Sequence, residues 1–221
     1  MKRALVIGSS GGIGQALRMA LGDQGWHVTG LSRSEYGLDV TDEASVAEHL
    51  EALSGSFQRI LIATGALEIN GHVPEKAFKH ISSDAMAAQF AVNAIGPALV
   101  IKHALRLLPR DEASAMAVLS ARVGSIGDNR AGGWHSYRAS KAALNQIIRG
   151  AAIELGRTHR AAVCVALHPG TVATRFTEKY LGRHPAVPPG EAAKNLLRVI
   201  DALTPEQSGA FFDWAGKPVP W

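Results

Sequence analysis

Tyr137 and Lys141 stand four residues apart in a stretch with helical character, so a phenol and an ammonium share one helix face. A phenol ordinarily titrates near 10, and a neighbouring cation favours its charged form. Bringing it towards 7 takes about 4 kcal/mol, an amount a close, partly buried cation and a bound cofactor are expected to supply together. A tyrosine tuned in this way can give a proton to a carbonyl oxygen or take one from an alcohol. Taken alone, the pair is also what an ordinary surface contact looks like.

A second cluster lies at the other end of the chain, in Gly8-Ser9-Ser10-Gly11-Gly12-Ile13-Gly14. It follows the apolar run Ala4–Ile7, which reads as a strand buried on both faces. A helical pattern begins directly after it, with Ile13, Ala16, Leu17, Ala20 and Leu21 on one stripe. Strand, glycine turn and helix make a cradle for phosphate. Gly8 permits the tight turn, Gly12 lets backbone approach a pyrophosphate, and Gly14 lets the helix pack on its strand. The free amides and dipole of the helix start favour an anion there. The spacing Gly-x-x-x-Gly-x-Gly differs from the commoner Gly-x-Gly-x-x-Gly, and an ordinary glycine-rich turn is the competing reading.

The next apolar run, Trp26–Leu31, ends at Ser32-Arg33. In a dinucleotide fold this strand end presents the selector for the adenosine ribose, where a carboxylate would bind the 2′-hydroxyl and repel a 2′-phosphate. A hydroxyl and a guanidinium suit phosphate instead, which favours NADP over NAD.

These groups need elements to hold them. Leu38-Asp39-Val40 reads as a third strand with almost no crossover before it, although a parallel pair normally requires a dozen or more residues. Thr41, Asp42 and Glu43 open a helix that buries Val46, Leu50 and Leu53. Arg59–Gly65 is a fourth strand, and 66–80 a surface loop. A long helix runs from Ser83 or Asp84 to about Leu108, with Pro97 as a kink. Met116–Ser120 is a fifth strand and 121–134 a polar loop. A helix over Tyr137–Leu155, a sixth strand at Ala161–Leu167, a helix over Glu191–Leu203 and a last strand at Ala210–Phe212 complete the pattern. This alternation predicts an α/β fold, a Rossmann-type doubly wound parallel sheet with helices on both faces, in one domain spanning 1–221.

The 221 residues carry 23 Lys and Arg against 19 Asp and Glu, and this mild excess of +4 is scattered. No basic run marks a nucleic-acid or membrane face. Hydrophobic residues make up 47% of the chain, ample for a core. The apolar run after Met1-Lys2-Arg3 stops at Gly8, too short for a signal core or a membrane span. A single cysteine, Cys164, sits within an apolar strand and allows no internal disulfide, consistent with a reducing cytoplasm. The nine histidines include no pair at helical ligand spacing, so no metal site is assigned.

Gly8-x-x-x-Gly12-x-Gly14, Asp39-Val40, Asn93, Tyr137-Arg138-Ala139-Ser140-Lys141 and Pro169-Gly170-Thr171-Val172-x-Thr174 together resemble the short-chain dehydrogenase/reductase family over nearly the whole chain. Val92-Asn93-Ala94-Ile95-Gly96-Pro97 and Phe212-Asp213-Trp214 are similar to its C-factor and sniffer-like branch. The resemblance implies an NADP-dependent oxidoreductase that interconverts a small carbonyl compound and its alcohol. Tyr137 would be the acid/base, and Lys141 would lower its pKa and hold the nicotinamide ribose. Asn93 would hold a water linking Lys141 to solvent. The implied cofactor set comprises Gly8, Ser10, Gly12, Ile13, Gly14, Ser32, Arg33, Asp39, Val40, Gly65, Asn93, Tyr137, Lys141, Pro169, Gly170, Val172 and Thr174, with Asp39 at the adenine and Thr171 and Thr174 near the nicotinamide.

Two departures stand out. The family's Asn-Asn-Ala-Gly is Ile62-Ala63-Thr64-Gly65 here. Aligned through Gly124, the family's substrate-orienting serine becomes Ala121, preceded by Ser120. Ser120 is the catalytic candidate in its place, with Ser125 or a water as the alternatives. Trp134 and His135 are candidates for the substrate mouth. Few residues separate Thr174 from Glu191, which predicts a short lid and an open site. A weakly catalytic nucleotide-binding signalling protein of C-factor type is the other functional reading. The alanine-rich helix over 139–155 suits a homodimer or tetramer.

Overall fold

Six short apolar runs become six strands of one parallel sheet, and their alternation divides the core into two layers. The computed structural model describes residues 1–182 and 185–221. In chain order the elements are β1 (Arg3–Ile7), α1 (Gly12–Asp23), β2 (His27–Leu31), α2 (Arg33–Tyr36), α3 (Glu43–Glu51), β3 (Arg59–Ile62), α4 (Ser83–Phe90), α5 (Gly96–Ala104), β4 (Ser114–Leu119), α6 (His135–Leu155), β5 (Ala162–His168), α7 (Pro189–Ala202) and β6 (Phe211–Asp213). The strand order is β2-β1-β3-β4-β5-β6, with every pair parallel. This is a Rossmann-like architecture with helices on both faces.

Successive strand residues point to opposite faces. Leu5 and Ile7 of β1 join Met116, Cys164, Val46, Val100, Leu144 and Ile148, so α3, α5 and α6 cover one face. Ala4 and Val6 join Leu17, Leu21, Leu196 and Leu197, so α1 and α7 cover the other. Strands buried on both sides explain the unbroken apolar runs in the sequence.

The predicted third strand at 38–40 does not form. Between β2 and α3 the chain makes only the four-residue α2, ended by Gly37 with φ 78°. That connection is too short for a parallel crossover. Leu38 fills the core instead, and Asp39 turns back on Thr41. The sheet therefore has six strands, and those predicted at Arg59–Gly65, Met116–Ser120, Ala161–Leu167 and Ala210–Phe212 are β3 to β6.

The predicted long helix is continuous from Ser83 to Leu107, and by length and apolarity alone it could cross a membrane. Here Val100, Ile101 and Ala104 of that helix are buried in the core. Residues Ala91–Ile95 form a π-helical turn in which the Gly96 amide donates to the Ala91 carbonyl. Pro97 supplies the reason: it has no N–H to give the Asn93 carbonyl, so the ordinary ladder lapses there. The loosened turn carries Asn93.

Candidate active site

The carboxyl ends of the parallel strands carry the predicted groups, as expected for an open α/β sheet. Gly8 follows β1 with φ 82°, and an ideal Cβ there would lie 2.9 Å from the Ala63 backbone. One on Gly14 would lie 2.1 Å from the Gly8 carbonyl oxygen, so α1 packs on its own turn only without a side chain. At Gly12 the neighbour is Thr174, whose Cγ2 would be 2.6 Å from the added carbon. The turn therefore docks against the segment after β5. Gly11 caps α1 without a side-chain bond, leaving the first helix amides available to an anion. Ile13 packs against the α1/α7 core, and the exposed Ser10 hydroxyl accepts from Ser34 Oγ at 2.9 Å.

At the end of β2, Ser32 is buried and its hydroxyl caps α2, accepting from the Glu35 amide at 3.4 Å. Arg33 follows it, exposed on the first residue of α2. Arg18, which sequence reasoning did not single out, reaches the same corner, 3.9 Å from Glu35. The Asp39 carboxylate accepts from the Thr41 hydroxyl and amide, and these bonds hold it below the usual range. Val40 packs against Gly96, where a Cβ would approach Val40 Cγ2 to 2.9 Å.

Asn93 is fully buried and its amide is engaged throughout. Oδ1 accepts from the Ala66 amide at 2.9 Å, while Nδ2 donates to the Ala66 carbonyl at 2.8 Å and to Gln89 Oε1 at 2.6 Å. Gln89 in turn donates to the Leu67 carbonyl at 2.8 Å. The pair pins the backbone after β3, including Gly65, whose ideal Cβ would lie 3.1 Å from Asn93 Oδ1 and 3.4 Å from Lys141 Nζ.

Tyr137 and Lys141 lie on the first turns of α6, both buried. Lys141 Nζ donates to the Leu119 carbonyl at 3.1 Å and sits 6.0 Å from the centroid of the Tyr137 ring. Burial pushes Lys141 down to about 8 and moves the Tyr137 phenol above its usual value. In the chain by itself loss of water outweighs the cation at this separation; the expected shift towards 7 concerns the lysine together with a bound cofactor. A phenol held neutral is a proton donor.

Around Tyr137 opens a cleft of about 830 Å³. Trp134, Phe176, Tyr180 and Trp214 line it. Trp134 meets Tyr137 edge-on at 6.3 Å between centroids and Tyr180 at 5.3 Å. Trp134 adopts φ 52°, ψ 39° immediately before α6. A bulky residue in that region costs about 1–3 kcal/mol and persists only when its surroundings hold it. Here Glu75 does so from a distant loop: its carbonyl accepts from the Trp134 amide, and its carboxylate accepts from the Ser136 amide at 3.2 Å and from the Ser136 hydroxyl. His135 packs against Phe78 instead, with ring centroids 4.3 Å apart and the planes tilted by 46°.

The predicted short lid borders the cleft along one side. Phe176, Thr177, Tyr180 and Pro185 line it, and Glu68 ties the segment down, accepting from Lys179 Nζ at 2.6 Å and Tyr180 Oη at 2.9 Å. Positions 183 and 184 of the predicted lid lie outside the described residues. Gly170, with φ 78°, packs under Trp214, and Pro169 joins it to β5. The Val172 side chain is buried, and its carbonyl accepts from Thr177 Oγ1.

Ala121 and the two serine candidates resolve differently. Ala121 lines the cleft with a methyl group. Ser120, the catalytic candidate, does not reach it: its hydroxyl is buried and donates to Asn145 Oδ1 at 2.6 Å, because alternation along β4 turns it under α6. Ser125 is buried too, accepting from the Asp128 amide at 3.1 Å. Sequence reasoning missed His168, Glu75 and Glu68. His168 lines the cleft at the end of β5, and its Nδ1 is buried without a hydrogen-bond partner among the described residues. Only its position before Pro169-Gly170 hinted at it.

Comparison with known proteins places this geometry in context. Residues 28–210 match a family model described as enoyl-(acyl carrier protein) reductase. The 1-hydroxy-2-glutathionyl-2-methyl-3-butene dehydrogenase of Rhodococcus sp. (strain AD45) is 32% identical over 235 aligned positions, covering 100% of both chains. The C-signal protein of Myxococcus xanthus is 40% identical over 136 positions, covering 62% of this chain and 78% of that one. The crystal structure of an NADPH-bound carbonyl reductase from chicken fatty liver superposes with a TM-score of 0.79 at 23% identity, covering 100% of this chain and 94% of that one.

Proposed function

The chain belongs to the short-chain dehydrogenase/reductase family of oxidoreductases, and from that premise we propose that it interconverts a small carbonyl compound and its alcohol using NADP(H). The observation that carries this reading is the placement of Tyr137, with Lys141 one helical turn behind it, on the wall of the aromatic cleft.

The residues present fit a dinucleotide. The glycine cradle at Gly8, Gly12 and Gly14 has no room for side chains, and the uncapped start of α1 faces the same end of the sheet. Ser10, Ile13 and the α1 amides would hold the pyrophosphate, and Arg33, set in place by the Ser32 cap, would hold a 2′-phosphate. Asp39 and Val40 would flank the adenine. Gly65, Asn93, Tyr137, Lys141, Pro169, Gly170, Val172 and Thr174 would surround the nicotinamide half. When bound, that ring supplies or accepts the hydride. In the reducing direction Tyr137, kept neutral by burial, donates its phenolic proton to the substrate oxygen. Lys141 holds positive charge beside the phenolate that results, and Asn93 fixes the backbone against which Lys141 rests.

The likeness over full length to a dehydrogenase whose name contains a glutathionylated alcohol supports including bulky thioether alcohols among the substrates tried. The test is consumption of NADPH with ketones, aldehydes and quinones, and of NADP with secondary alcohols. Turnover that disappears in Tyr137→Phe supports the proposal, and no turnover with any of these sinks it. The likeness to C-signal favours a second reading, a nucleotide-binding signalling protein with little turnover. Tight NADPH binding without consumption would select it.

A further inference from the structure

Ala121 leaves the cleft without the hydroxyl that would bond a substrate's oxygen, and the neighbouring serines do not replace it. The Ser120 hydroxyl is spent on Asn145, and Ser125, which accepts from the Asp128 amide, is buried away from the residues that line the cleft. Most polar side chains that line the cleft are also engaged. Arg122 pairs with Asp128, Arg138 donates to the Gly133 and Val123 carbonyls, Tyr180 donates to Glu68, and Glu75 serves Ser136. Lys76 and Arg130 are exposed.

We infer that His168 supplies the hydrogen bond to the substrate oxygen that Ala121 cannot, a role that rests on the carbonyl–alcohol reading above. Its place follows from register. Leu119 of β4 pairs with Leu167 of β5, and the Ser120 amide donates to the Leu167 carbonyl at 2.8 Å, so Ser120-Ala121 and His168 leave the sheet side by side. Along β5, Ala162, Cys164 and Ala166 face the layer that contains α6, and alternation puts His168 on that same face. Tyr137 projects from α6 into the same cleft. The donor and the proton source therefore approach one oxygen from two elements.

The chemistry of the ring agrees. Burial, with a smaller contribution from Arg122 and against the opposing pull of Asp213 across β6, pushes the imidazole down to about 4. At neutral pH it is uncharged, with one N–H to donate and one lone pair. The protein fixes neither: Nδ1 is buried with no partner among the described residues. A buried polar atom left unpaired is costly, and a small rotation of the part-exposed ring, which lines the cleft, would bring Nδ1 to an entering oxygen and relieve that cost. Asp213 is not bonded to Nδ1, and its Oδ1 accepts from the Ala215 and Lys217 amides at 2.9 and 3.0 Å.

The test uses the full chain, NADPH and acetophenone as the probe ketone. In His168→Ala, kcat/KM for acetophenone should fall by about tenfold to a hundredfold, with the affinity for NADPH unchanged. Restoring the serine in that background, as His168→Ala with Ala121→Ser, should recover most of the loss, whereas Ala121→Ser alone should gain little. Equal gains from Ala121→Ser in both backgrounds, or full activity in His168→Ala, overturn the inference. His168→Gln, which keeps an N–H, covers the case in which the alanine variant does not fold, and it should retain more activity than His168→Leu. Imidazole ¹⁵N spectra give a readout that does not depend on turnover. Acetophenone added to the NADP-loaded protein should shift the His168 nitrogens, and a shift complete with NADP alone, or no shift at all, overturns the inference. A ketone-induced shift without turnover supports the contact and removes the carbonyl-reductase reading. Turnover without either the shift or the His168 effect does the reverse.

Discussion

Glu75 caps the helix that carries Tyr137, its carboxylate accepting the Ser136 amide at 3.2 Å from a loop 61 residues earlier in the chain. Helix α6 has no side-chain cap of its own, because Trp134 stands where a Ser or Asp would usually be. A carboxylate at that end also meets the positive pole of the helix dipole. Burial pulls the Glu75 carboxyl upward, but the Ser136 hydroxyl, the backbone amides of Glu75 and Ser136 and the nearby His135 together outweigh it and hold it below its ordinary value. Glu75→Ala should cost about 0.5–2 kcal/mol of stability in urea unfolding at neutral pH. A carboxylate depressed in the folded state stabilises above its unfolded pKa and loses that contribution as pH falls through the folded one. The gap between parent and variant should therefore close as the solution is acidified through the carboxylate range, and a gap that widened there would remove Glu75 from this role.

Gly12 and Gly14 differ in what a methyl group would strike. At Gly14 the obstacle is the Gly8 carbonyl, which is backbone, whereas at Gly12 it is the Thr174 side chain. Gly14→Ala should yield little folded protein. Gly12→Ala should fold with a loss of about 1–3 kcal/mol, typical of overpacking. Thr174→Ser should recover part of that loss by removing the methyl group in the way. Thermal unfolding of the single and double variants measures the coupling, and strictly additive effects would deny the contact.

Lys141 gives cofactor binding a pH dependence. Burial sets its pKa at about 8, so the ammonium predominates below that pH and the neutral amine above it. If the ammonium holds the ribose, NADPH affinity should be flat on the acid side and decline above about 8, by up to tenfold per pH unit. Fluorescence titration across this range should show the decline in the parent and a flat line in Lys141→Gln. Tyr137→Phe should keep the parent's titration curve while losing turnover, since only the proton donor is gone.

Arg33 should decide between the two nicotinamide cofactors. Replacing it by aspartate removes charge-assisted bonds to a 2′-phosphate worth about 1.5–3 kcal/mol. The parent should prefer NADPH over NADH, and Arg33→Asp should reverse the order through a roughly tenfold to hundredfold loss of NADPH affinity. Isothermal titration of both cofactors into both proteins reads the result. Equal affinities in the parent would remove Arg33 from this role, and a preference that survives Arg33→Asp would shift the selector to Arg18, the other cation at that corner.

Much of this protein is decided by local pattern. Apolar runs such as Ala4–Ile7 and Ala162–Leu167 are strands because both of their faces are covered, and glycine at positions 8 and 14 is obligatory because the turn and helix close on each other. Both are short-range constraints, so the sequence alone carries the parallel sheet, the cradle and the pairing of Tyr137 with Lys141. What depends on contacts between distant residues was hidden from it. Leu38 looks like a strand residue, yet the short α2 connection leaves it no neighbour to pair with, and it fills the core instead. Ser120 and His168 are both polar residues at strand ends, and only strand register and the packing of α6 send the Ser120 hydroxyl to Asn145 and leave His168 Nδ1 without a partner among the described residues. The balance at Tyr137 is likewise a tertiary matter, because spacing puts a cation nearby but burial, a property of the whole fold, determines which way the phenol moves.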